Sequence, residues 1–311
     1  MKKTIDHQPI ERISLLSSSY SGSTLLGIII SQNPSFLAFG DTYIHNHFSP
    51  SEVLCTCGES VENCRVRVVA AEKLNEYNLD KDLLFRRKHT YPIKLVSEKY
   101  GGLKLYSLYK LINQIFGYKY VFSDFLNSNN IQLNAIKHAS PQTTHFFDGA
   151  KNIIRGHMFL ETDPRSKLVH LIRHPFEVLY SAATRHEIYD GKHNIRKHAH
   201  SWCTYNLAAA RLVEAYSNRT ATVTHKGLLE RPKKTIENLF ETLDWPTSNI
   251  DIENIDPKKA HVLGNRSRHR ATKIRNEKSR PTPEMLYEKG LSSDDIELLE
   301  RTIEKLDISD L

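Results

Sequence analysis

At 311 residues the chain can form one large α/β domain or two small ones, at ~150 residues per domain. Apolar residues make up 39% and charged residues 25%, enough for a real core and too apolar for bulk disorder. The longest apolar run, Leu25-Leu26-Gly27-Ile28-Ile29-Ile30, falls far short of the ~18 residues a membrane span requires, so no membrane partner is expected. The opening residues, MKKTIDHQPIER, have no apolar stretch and do not read as a secretory signal. No segment repeats itself, which argues against a solenoid. Lysine and arginine outnumber aspartate and glutamate by 43 to 36, a balance that favours anionic partners without choosing among them.

In chain order, Arg12–Ser18 reads as a short strand running into a turn, Ser17-Ser18-Ser19-Tyr20-Ser21-Gly22-Ser23-Thr24. A helix is expected from Leu25 to about Gln32, ended by Pro34. Leu105, Leu108, Tyr109, Ile112, Ile115 and Phe116 mark an amphipathic helix within a mainly helical stretch, about 66–145. A second strand-to-helix unit runs from Lys167 to Arg173, then through Pro175 to Arg185. Lys197–Tyr216 is a long helix. Ala221–His225 is a third strand, followed by a helix carrying Ile236, Leu239, Phe240 and Leu243. Residues 257–283 form a basic loop, and a last helix is capped near Ser292 or Ser293. Strands alternating with helices predict a single α/β domain, a mostly parallel sheet flanked by helices, with a helical insertion over about 66–145.

The first turn has specific chemistry. A Ser/Gly-rich turn before a helix N-terminus points backbone N–H groups at an anion, and Gly22 lets the backbone approach it closely. The kinase-type pattern GxxxxGK[ST] is absent, which argues against a P-loop-type kinase. In the second unit, Arg173 ends a strand, Ser181 follows eight residues later and Arg185 one turn beyond, a clamp suited to a phosphate. A nucleic-acid-binding protein is the other alternative, but the basic loop lacks interleaved aromatics, so no nucleic acid is expected.

These motifs, with Asn33-Pro34, Gly40-Asp41, Asp148-Gly-Ala-Lys151, Trp202-(x3)-Asn206 and His261-(x2)-Gly264-Asn265-Arg266, resemble sulfotransferases that use 3′-phosphoadenosine 5′-phosphosulfate (PAPS). The resemblance implies a P-loop-like fold and sulfuryl transfer to a hydroxyl or amine of a carbohydrate or small-molecule acceptor. It implies PAPS as co-substrate, its product 3′-phosphoadenosine 5′-phosphate (PAP), and no metal. By the same resemblance Ser19, Tyr20, Ser21, Gly22, Ser23, Thr24 and Leu25 hold the 5′-phosphosulfate, while Arg173, Ser181 and Arg266 hold the 3′-phosphate. Asp41 takes the place of the catalytic base, with His45 and Asp148 in reserve. The chain departs from the family at Tyr20, where a basic residue is usual, and at His174. Lys151, or else Arg155, then supplies the cation for the leaving oxygen.

Four cysteines are too few for a disulfide scaffold and suggest a cytoplasmic protein. Cys55, Cys57 and Cys64 cluster near His45 and His47, so a zinc site is conceivable. Buried or reactive thiols are the commoner outcome and the expected one.

Overall fold

Short apolar runs make the strands, as a parallel sheet covered on both faces demands. The structure is a computed structural model that describes residues 10–40, 51, 53–77, 123–186, 195–246, 250–262 and 280–308. Its strands are β1 (Glu11–Leu16), β2 (Phe36–Gly40), β3 (His145–Asp148), β4 (Lys167–Ile172) and β5 (Thr220–Thr224). They form a five-stranded sheet in the order β2-β3-β1-β4-β5. The β1–β3, β2–β3 and β4–β5 pairings are all parallel. The expected class, helices flanking a parallel sheet, is the one observed.

The chain divides into two compact units. One takes in Met1–Leu15, Thr24–Lys167 and Ser248–Lys273. Its helices among the described residues are most of α1 (Ser23–Ile30), then α2 (Arg65–Asn75), α3 (Ser123–Ala139) and α4 (Ile153–Thr162). Phe39, Cys55, Cys64, Leu74, Ile136 and Phe146 share its core. Arg12 puts a fully buried guanidinium into β1. The charge is accommodated by an ion pair with Asp148, a 3.0 Å bond to Gln132 Oε1, and the faces of Phe146 and Phe159. Buried charges require this degree of pairing.

The other unit takes in Leu16–Ser23, Leu168–Thr247 and Ile274–Leu311. Its helices are α5 (Pro175–His186), α6 (Ile195–Ala215), α7 (His225–Glu230), α8 (Pro232–Thr242), α9 (Pro283–Tyr287) and α10 (Ser293–Lys305). Ile172, Phe176, Trp202, Leu286 and Leu299 pack together. Ser292 and Asp295 close a reciprocal capping box at the start of α10, where the sequence placed a cap.

The helical stretch expected over 66–145 is seen at its ends, as α2 and α3. The helix expected around Leu105–Phe116 lies outside the described residues, as does most of the basic loop. No helix of the described residues is long and apolar enough to cross a membrane.

His170 lies in the middle of β4 and is fully buried. The Asn206 amide donates to the Trp202 carbonyl (2.8 Å), so its Oδ1 faces the ring and accepts from His170 Nε2–H at 3.0 Å. Burial pushes the His170 pKa down to about 4 despite that bond. His145, His174 and His225 are likewise pushed down to about 4, chiefly by burial. A depressed histidine contributes stability that is complete above the unfolded value of ~6.5 and is lost as pH falls through the folded value. For His170 a drop from 6.5 to about 4 corresponds to about 3 kcal/mol. Urea unfolding is therefore expected to show a loss of several kcal/mol between pH 7 and pH 4. A His170→Asn variant should show a shallower slope over that range. A flat stability profile between those pH values would contradict this.

Candidate active site

Open parallel sheets bind ligands beyond the carboxyl ends of their strands. In the second unit two elements leave the sheet at that end: the turn after β1 and the Arg173–Pro175 segment after β4. Tyr20 and Gly22 have positive φ, 65° and 90°, and these reversals fold the serine-rich turn back on itself. Ser17 N–H donates to Tyr205 Oη at 3.1 Å, and the Ser18 and Ser21 hydroxyls are 2.6 Å apart. Ser21 is buried, Ser23 half-buried and Ser19 exposed. Ser23 opens α1, whose first-turn N–H groups have no partners within the helix.

Arg173 is joined to this turn. Its Nη1 donates to the Tyr20 carbonyl at 2.9 Å, and its Nε donates to Glu177 Oε2 at 2.9 Å. Glu177 also faces Arg280, whose Nε lies 3.8 Å from Oε1. His225, the first residue of α7, packs against Gly22. Burial, then the charge of Arg173, holds the His225 ring neutral; burial and the charges of Arg280 and Lys226 do the same for His174. Three cations thus act on the two histidines beside this turn. The Glu177 carboxylate acts on both in the opposite direction.

Gly22 has no room for a side chain in this packing. A Cβ there would lie 2.3 Å from His225 Cδ2, and φ is one that side chains rarely adopt. Gly22→Ala is expected to destabilise the fold by at least ~1–3 kcal/mol, from backbone strain plus the clash. Adding His225→Ala should recover the clash and leave the strain. Equal denaturation midpoints for wild type and Gly22→Ala would refute this reading of the turn.

Ser181 lies on α5, half-buried. Among the described residues no side-chain hydrogen bond links it to Arg173 or to the turn. Thr24 and Leu25 form the first turn of α1 in the other unit. Lys151 is also there, half-buried just after β3 with φ 54°. Asp148 carries an ion pair from Arg12, another from Arg155 at 2.8 Å, and a bond from Ala150 N–H at 3.1 Å. Asp148 and Arg155 are thus paired with each other at the end of β3. Asp41, Arg266, His45 and His47 lie outside the described residues.

Sequence reasoning missed Glu177, Arg280 and His225. The i,i+4 spacing of Arg173 and Glu177 was a usable signal for an ion pair. Nothing local ties Arg280 or His225 to the turn. A groove of about 410 Å³, lined by Val223, Thr224, Arg231 and Lys234 among others, contains none of the residues expected to bind substrate.

Fold and turn together define a parallel α/β protein with a serine-rich turn between β1 and α1. No family model and no curated protein sequence matches the chain. Solved structures do. Sulfotransferase STF9 from Mycobacterium avium aligns over 98% of this chain and 77% of its own, at 14% identity and TM-score 0.52. Sulfotransferase STF1 from Mycobacterium tuberculosis H37Rv aligns over 98% and 78%, at 13% identity and TM-score 0.50. The chain has a sulfotransferase-family fold.

Proposed function

We propose that the chain is a PAPS-dependent sulfotransferase acting on a hydroxyl or amine of a carbohydrate or small-molecule acceptor. The observation that carries this reading is the joining of the serine-rich turn to Arg173 through the Tyr20 carbonyl. It places a cation from the end of one strand against a phosphate-type turn from the end of another.

In this reading Ser19–Leu25 receive the 5′-phosphosulfate. Arg173, Ser181 and Arg266 receive the 3′-phosphate, and Arg280 joins them through its shared partner Glu177. The acceptor oxygen attacks sulfur in line; its bond to sulfur forms as the bridging bond to the phosphate oxygen breaks. Asp41 takes the acceptor proton, and Lys151 stabilises the charge that develops on the departing PAP. The protein works in the cytoplasm, without nucleic acid or membrane as partner.

Incubating the full chain with ³⁵S-labelled PAPS and an acceptor panel of sugars, phenols and amines tests this directly. Labelled product with equimolar PAP is the expected result. No transfer to any acceptor, together with label transfer from γ-³²P-ATP, would replace the reading with a kinase.

A further inference from the structure

We propose that Cys55, Cys57, Cys64 and His261 bind a structural zinc ion. The inference does not depend on the sulfotransferase reading. It reverses the expectation of a metal-free cluster of thiols.

The four ligand atoms all lie within 4.8 Å of one another. His261 Nδ1 is 3.2 Å from Cys64 Sγ and 4.0 Å from Cys55 Sγ. Tetrahedral zinc, with bonds of ~2.3 Å to sulfur and ~2.0–2.1 Å to nitrogen, sets its S···N edges at about 3.6 Å and S···S edges at about 3.8 Å. The observed S···N separations bracket the first value. Three thiols and one imidazole satisfy the ion without leaving a position open, which is the pattern of a structural site.

The backbone builds this arrangement from two distant parts of the chain. Val61 N–H donates to the Val53 carbonyl (2.8 Å) and Cys55 N–H to the Glu59 carbonyl (2.8 Å), forming a hairpin. At its tip Gly58 N–H donates to the Cys55 carbonyl (3.1 Å), with Gly58 at φ +101°. That turn presents Cys55 and Cys57 together. Cys64 is the N-cap of α2, where the first-turn N–H groups favour a thiolate. His261 arrives on a strap fixed on both sides. Thr56 Oγ1 donates to the Ala260 carbonyl and accepts from Val262 N–H at 3.0 Å, and His261 N–H donates to the Ala38 carbonyl at 3.2 Å.

Charge balance points the same way. Arg67 is fully buried, its guanidinium 4.1 Å from the centre of the Phe39 ring and donating to the Phe39 and His261 carbonyls at 3.2 and 2.9 Å. A buried guanidinium requires negative charge nearby. Three thiolates around a dication carry a net −1, which Arg67 neutralises. Arg67 thus balances the charge of a Cys3His zinc centre, and the backbone bonds around His261 orient its ring.

The test is metal analysis of the full, untagged chain from zinc-replete cells, followed by cobalt(II) exchange. One zinc per chain is expected, replaced by cobalt with the visible bands of a tetrahedral thiolate site. Cys57→Ser, at the half-buried ligand, should lower zinc affinity roughly 100-fold or more, while Cys203→Ser, whose thiol lies in the other unit, should change nothing. If Cys57→Ser does not fold, the cobalt spectrum of the wild-type chain decides. Absence of zinc together with no cobalt–thiolate absorption would overturn the proposal, as would a disulfide within the cluster or undiminished zinc binding by Cys57→Ser.

Discussion

Arg173→Ala is expected to lose PAP binding by about 30- to 5,000-fold while the chain still folds. The range converts the ~2–5 kcal/mol typical of a truncated charged pair. Two losses combine in this variant. The 3′-phosphate loses a cation, and the Tyr20 carbonyl loses the donor 2.9 Å away that braces the turn. Adenosine 5′-phosphate separates them, because it lacks the 3′-phosphate yet still occupies the turn: its binding should weaken only by the second loss. Glu177→Gln should act in the opposite direction. Glu177 competes for the same guanidinium through Nε at 2.9 Å, so neutralising it makes more of the charge available to a phosphate. Arg173→Lys should fall between, since an ammonium is a point charge and cannot reproduce the planar fork that spans Tyr20 and Glu177. Calorimetry on the four proteins gives the comparison, with circular dichroism confirming folding. Undiminished PAP affinity in Arg173→Ala would remove Arg173 from the site.

Asp41→Asn should retain PAP affinity and lose ~10²–10⁴-fold in turnover, the usual range for a general base. Lys151→Ala should do comparable damage to turnover. In the proposed reading Lys151 supplies the cation for the leaving oxygen, while Arg155 pairs with Asp148 at 2.8 Å. Tyr20→Arg is expected to be tolerated or mildly activating. Its ring packs partly buried against the core around Phe176 and Trp202, and an arginine stem can cover the same apolar surface while restoring the charge. Single-turnover kinetics with PAPS in excess separates binding from chemistry in all three variants. Full turnover in Asp41→Asn would eliminate it as base, and full turnover in Lys151→Ala would eliminate that cation.

The parts of the fold that were legible in the sequence are those with a strong local pattern. β1, β4 and β5 carry apolar runs next to unmistakable turn or helix signals, and Ser292 marks its helix by local capping chemistry. β2 and β3 were not read as strands. Phe36–Gly40 and His145–Asp148 are five and four residues long, too short for a period to declare itself, and they become strands through pairing with each other and with β1. The site followed the same rule. Arg173 and the serine turn are local motifs and could be picked out. The bond that joins them spans 153 positions and could not. The metal cluster is the sharper case: three cysteines within ten residues are visible at once, but the histidine that completes them comes 197 residues after Cys64. His45 and His47 were closer in sequence and drew attention for that reason alone.

The proposed activity uses a nucleotide carrying a 3′-phosphate, so the most direct test is a calorimetric titration of the wild-type chain with PAP and, separately, with adenosine 5′-phosphate. The two ligands differ only in that group, which places Arg173 and its neighbours under test without any mutation. PAP is expected to bind roughly 100-fold or more tightly, an advantage of about 3 kcal/mol. Equal affinity for the two nucleotides would contradict the assignment.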